Sequence, residues 1–144
     1  VAAVRTVSDH FPIKLGDRTV QMQLAILPAE QERGLMQRPD LGRDEGMIFV
    51  SATPRTETFW MRNTPEALDI GYFTPEGELA EIYPLLPFDE RVVSSRSNRM
   101  QFALEMRQGW YSENHVAPGA RLDLKALSAA LTARGFDPKH FGLE

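Results

Sequence analysis

Val20, Met22, Leu24 and Ile26 alternate with Thr19, Gln21, Gln23 and Ala25, a period of two that predicts a strand buried on one face. With the Gly16-Asp17 turn before it, the segment from Ile13 to Ile26 reads as a hairpin. Pro28 then opens a short run, Ala29 to Arg33, suited to one or two helical turns that stop at Gly34. Three strand-like runs follow: Gly46 to Val50, Thr58 to Met61 and Leu68 to Phe73. The turn Thr74-Pro75-Glu76-Gly77 and the run Glu78 to Tyr83 complete a second hairpin, after which Pro84 and Pro87 are expected to exclude regular structure. Ser94 to Ser97 reads as a solvated loop.

The cleanest alternation sets Met100, Phe102, Leu104 and Met106 against Gln101, Ala103, Glu105 and Arg107, before Gly109-Trp110 turns the chain away. After the Pro118-Gly119 turn, Asp123 caps a predicted terminal helix with Leu124, Leu127 and Leu131 on one stripe and Gly135 at its end. Short strands with frequent Gly and Pro punctuation predict a mostly β domain. Its expected form is a compact sandwich or jelly-roll-like fold with one short helix after the first hairpin and a C-terminal helix.

At 144 residues the chain suits one hydrophobic core, and fractions of 42% hydrophobic and 25% charged residues describe a folded domain rather than a disordered one. Net charge is -4 with Lys and Arg scattered, so nucleic acid is not an expected partner. No apolar run approaches the roughly 20 residues of a membrane-spanning helix. The first residue is Val1 rather than Met, which raises the expectation that a leading segment has been removed. With no Cys, thiolate chemistry is absent. His10, His115 and His140 lie too far apart in sequence to suggest a metal-ligand spacing. No phosphate loop, dinucleotide fingerprint or nucleophile elbow appears, so no cofactor, metal or catalytic residue is expected.

Polar and aromatic residues concentrate in the middle third. Strand alternation puts Trp60 on the face opposite Phe59 and Met61, either in the core or lining a pocket. Asp69 interrupts the apolar run Leu68 to Phe73, where an unpaired buried carboxylate is costly. Arg33, Arg38 and Arg62 are candidate partners; the alternative is that Asp69 holds the backbone amides of a turn.

In order along the chain, Glu32-Arg33-Gly34-Leu35-Met36-Gln37-Arg38, Gly46-Met47-Ile48-Phe49 and Phe59-Trp60-Met61-Arg62-Asn63-Thr64 precede Leu68-Asp69-Ile70, Ala103-Leu104-Glu105 and Gly109-Trp110. This set resembles the bacterial and archaeal family called domain of unknown function 192, over roughly Val20 to Leu124. The resemblance implies a compact β fold without an established activity, and an exported, periplasmic protein, with a cytoplasmic one as the alternative. Residues 1–124 are thus expected to form the β domain, with 125–144 a helical extension packed on it.

Three functions compete. A non-catalytic binding module for an unknown small molecule or protein would use Arg33, Arg38, Trp60, Arg62, Asn63, Asp69 and Glu105. A carboxylate-dependent hydrolase would pair two of Asp69, Glu81 and Glu105, one protonated and one ionised, across a short gap. A scaffold would bury Trp60 and use Arg38, Asp69 and Glu105 as ion pairs, with its function on a partner-binding surface.

Overall fold

The computed structural model describes residues 5–144, so the expectation drawn from Val1 lies outside the described residues. It is mostly β. Strands β1 (Phe11–Leu15), β2 (Arg18–Ala25), β3 (Glu45–Arg55), β5 (Leu68–Phe73), β6 (Leu79–Leu85) and β8 (Met100–Arg107) form one sheet in the order β1-β2-β3-β8-β5-β6. Two-residue strands β4 (Thr58–Phe59) and β7 (Val93–Ser94) form a separate ribbon. Helix α1 (Pro28–Arg33) lies in the crossover between the parallel pair β2 and β3, and the other neighbours in the large sheet are antiparallel.

Because side chains alternate across a strand, β8 sends Phe102, Leu104 and Met106 to one face and Ala103 and Glu105 to the other. The first face packs with Ile13, Val20, Met22, Leu24 and Ile48 beneath α3 (Leu124–Ala133) and a terminal 3-10 turn, from which Leu127, Leu131, Phe141 and Leu143 enter the same cluster. The second face carries Met47, Phe49, Ile70 and Tyr72, covered by Leu35, Leu41 and Met61 with Phe59 and Val93 of the ribbon. Both faces are therefore largely covered. Gln101 and Glu105, which alternation would turn to water, are both buried; Glu105 lies on the second face, and Gln101 donates its amide to the carbonyls of Ser51 and Phe141.

Three local expectations are corrected. Pro84 sits inside β6, tolerated because β6 is an edge strand and its missing N–H breaks no ladder bond within the sheet. The strand at Thr58 ends at Phe59, and Ser94 to Ser97 is not simply a solvated loop. Ser94 belongs to β7, while buried Ser95 receives the Glu57 amide on its hydroxyl at 3.0 Å and donates that hydroxyl to the Ser97 carbonyl at 2.8 Å. A short helix unforeseen in the sequence, α2 (Trp110–Glu113), follows β8 and buries Trp110 and Tyr111. Gly109 starts it with φ +93°, a backbone conformation that favours glycine.

No helix among the described residues is long and apolar enough to cross a membrane.

Candidate functional site

A cavity of about 260 Å³ opens on the second face of the sheet, between the end of α1 and the ribbon. Its walls include Arg33 and Gly34 from α1, Phe49 and Arg55 from β3, and Glu57, Phe59 and Trp60 around β4. Glu105 reaches it from β8.

Each wall has a local cause. Glu30 fixes the start of α1: one carboxylate oxygen accepts from the amides of Ile26 and Leu27 at 3.0 and 3.1 Å, satisfying donors that a helix N-terminus leaves free. Its other oxygen meets buried Arg134, from the end of α3, at 2.6 Å. Gln31 donates to the carbonyls of Ala25 and Val50 at 3.2 and 2.9 Å, tying the helix to the end of β2 and the middle of β3. Phe49 and Phe59 meet edge to face with ring centroids 4.7 Å apart, and Phe59 lies 6.1 Å from Tyr72. Tyr72 donates its hydroxyl to the Val93 carbonyl at 2.7 Å, clamping the ribbon to the sheet.

The carboxyl groups differ in their support. Glu57, 2% exposed, accepts from the Ser51 hydroxyl at 2.7 Å and has Arg55 Nε at 3.5 Å. Burial raises its pKa, and the Ser51 bond and Arg55 oppose that rise. Glu105, 4% exposed, has no hydrogen-bond partner among the described residues, and burial alone pushes its carboxyl up to about 8. Burial therefore favours its protonated form at neutral pH. Burial also raises the Tyr72 hydroxyl, with the charges of Glu105 and Glu57 adding to the effect.

Of the residues singled out from sequence, Arg33, Trp60 and Glu105 line this cavity. The other four stand elsewhere. Asp69 pairs in register with Met106, whereas its neighbour Ile70 pairs with Glu105, so Asp69 and Glu105 project from opposite faces. Among the described residues no arginine meets Asp69; its carboxylate accepts from the Gly109 amide at 2.8 Å and so holds the turn into α2. Arg38 bonds Asp40 at 2.9 Å and Gln23 at 3.3 Å. Arg62 lies outside the cavity, 5.6 Å over the Trp60 ring, and Trp60 itself is 41% exposed rather than in the core. Asn63 is exposed with φ +55°, and its carbonyl accepts from the Gln37 amide.

Glu81 is also committed elsewhere. Burial works against its ionisation, but the Arg96 amide, the Tyr83 hydroxyl and the Ser97 amide outweigh burial and hold the carboxyl below its usual range. Sequence reasoning missed Glu57, Phe49 and Phe59 as site residues. Glu57 sits in a stretch of polar residues with no periodicity to mark it as buried. No group of three or more His, Asp or Glu side chains suited to a metal ion occurs among the described residues.

Fold and cavity together define a mostly β domain built around a small recess that is aromatic at its walls and acidic within. The chain belongs to the DUF192 family, described as "Uncharacterized ACR", whose model matches residues 11–124. Among solved structures it is similar to a protein of unknown function from Novosphingobium aromaticivorans DSM 12444, 32% identical with a TM-score of 0.76, over 85% of this chain and 92% of that one. It is also similar to a Sinorhizobium meliloti 1021 protein proposed as a transcription regulator, 26% identical with a TM-score of 0.76, over 85% of this chain and 96% of that one. No curated protein matches the chain.

Proposed function

We propose that this domain is a non-catalytic binding module that takes a small organic molecule into the recess between α1 and the ribbon, with Glu105 as the recognition group. The observation that carries the reading is Glu105 itself: a residue 4% exposed that lines a cavity and whose carboxyl takes no hydrogen bond from the described residues. Buried polar groups are nearly always satisfied, and one that faces a recess without a partner is suited to bonding what enters. Phe49, Phe59 and Trp60 supply apolar wall, and the volume suits a compact ligand. An exported, periplasmic location belongs to the same proposal and rests on the family resemblance.

Two-carboxylate hydrolysis is less well supported. It requires environments that drive two carboxyl groups apart in pKa, whereas Glu57 and Glu105 are both pushed upward by burial. Asp69 lies across the sheet and Glu81 is tied to Arg96 and Ser97. The regulatory role proposed for the S. meliloti relative is not carried over, because net charge is -4 and the rim cations Arg33 and Arg55 stand beside Glu32 and Glu57 rather than in a basic stripe.

The test is an amide-detected NMR titration against a library of small amines, alcohols, carboxylates and sugars. Binders are expected to shift resonances of Gly34, Phe49, Phe59 and Glu105, and to weaken at least several-fold in Trp60→Ala. Asp69→Asn should leave them unaffected. A library without binders at this face, or binders that shift only residues elsewhere, overturns the proposal.

A further inference from the structure

We infer that the recess selects an organic ammonium ion, whose cationic head sits among Phe49, Phe59 and Trp60 against the carboxyl of Glu105. This rests on the binding-module reading and narrows it to a ligand class.

The argument starts from where each charge sits. The two deepest ionisable groups lining the recess are acidic, Glu57 at 2% and Glu105 at 4% exposure. The cations stay outside: Arg33 is exposed, and the Arg55 side chain is 58% exposed with its guanidinium already turned to Glu57. Glu57 has Ser51 and Arg55; among the described residues Glu105 has neither a donor nor a cation. A positive ligand group placed at Glu105 would therefore meet an acid with nothing else to pair it. An anionic one seated at Glu105 would lie between two carboxyl groups, with both arginines nearer solvent.

The wall supports the same class. Aromatic rings attract organic cations through the negative face of the ring, an attraction that grows when water is excluded. Phe49, Phe59 and Trp60 line the same recess as Glu105. A metal ion is a poorer fit, since hard cations take six or more oxygens and no group of three potential ligands occurs among the described residues.

Ionisation of Glu105 then becomes part of binding. The charged groups facing it are Glu57, Arg55, Glu32 and Arg33 around the recess and Glu81 from β6, with the hydroxyls of Tyr72 and Tyr83 on the same face. An ammonium ion stabilises the carboxylate, so binding releases a proton wherever the empty site holds one. Affinity should rise with pH until Glu105 is ionised in the free protein. A neutral or anionic ligand that uses the protonated carboxyl as a donor would show the reverse slope.

Choline and 3,3-dimethylbutanol form a suitable pair of probes, because they share shape and choline's charge does not titrate. Benzylammonium and benzyl alcohol extend the comparison to a primary amine. The intact domain is titrated with each by NMR at pH 6, 7 and 8, where benzylammonium remains charged. At least one cation should bind tenfold or more tightly than its neutral isostere and gain severalfold or more in affinity from pH 6 to 8. In Glu105→Gln, which keeps the shape of the protonated side chain, both the preference and the slope should disappear while the neutral probe's affinity is retained. Equal affinity for cation and isostere in both pairs, or affinity that falls as pH rises, overturns the ammonium assignment. If the neutral probes still shift Phe49 and Phe59, the binding-module reading survives that result; if no compound in the wider library shifts them, both readings fall.

Discussion

Glu105 is held on the central strand of a sheet covered on both sides, and its effect on stability has a definite pH signature. Near pH 4 the carboxyl is largely protonated in both folded and unfolded chains. From about pH 4.5, its ordinary value, to about 8 the unfolded chain ionises while the fold retains the proton, so this residue lowers stability progressively as pH rises. Above about 8 both forms are ionised and the loss is constant. Glu105→Gln removes that loss. Its stability relative to wild type should therefore climb between pH 4.5 and 8, by as much as about 5 kcal/mol, and thermal melts at pH 4, 6 and 8 would show the gap in Tm widening. A gap that stays constant across the three would mean that the carboxyl is solvated and not held protonated by burial. None of this is legible in the alternation of β8, where Glu105 stands with Gln101 and Arg107 as part of an apparently wet face. What buries it is a cover drawn from distant segments, Leu35 to Leu41 and Phe59 to Met61, and a period of two reports faces without reporting what lies on them.

Helix α1 has six residues and none of them is buried, so it lacks the apolar stripe that normally secures a helix of this size. Polar anchors hold it instead. Glu30 closes its first turn and is in turn held by Arg134, whose side chain is 3% exposed and also donates to the Leu24 carbonyl. Removing one member of a buried pair leaves the other without compensation and costs about 3 to 5 kcal/mol. Arg134→Ala should therefore lower stability by roughly that amount. Hydrogen exchange should also quicken at the amides of Gln31 and Gly34 more than at those of β8. Uniform acceleration would show that Arg134 supports the whole fold rather than this wall of the recess. Pro28 and Gly34 made the limits of α1 readable, as did Asp123 and Gly135 for α3. The link between the two helices was not readable, because Glu30 and Arg134 are separated by 104 residues and neither residue type announces burial.

The order β1-β2-β3-β8-β5-β6 places the last strand of the sheet at its centre, so strands distant in sequence pair only when β8 arrives. Strand identities were visible as local alternation, and the mostly β class with them; their order depends on long-range pairing that no local pattern encodes. The same separation affects the C-terminal segment. The family match ends at residue 124, yet Leu127, Leu131, Phe141 and Leu143 beyond it complete the cluster over Ile13, Leu15 and Met22. Each such side chain contributes about 1.5 to 3 kcal/mol on burial, so the four together provide about 6 to 12 kcal/mol. That is comparable to the whole net stability of a typical domain, about 5 to 15 kcal/mol, and loss of Arg134 adds to it. A chain ending at residue 124 should therefore show no cooperative thermal transition and should bind a dye that reports exposed apolar surface. If it instead melts cooperatively within a few degrees of the full chain, the segment is an accessory cover and the first face of the sheet is stable without it.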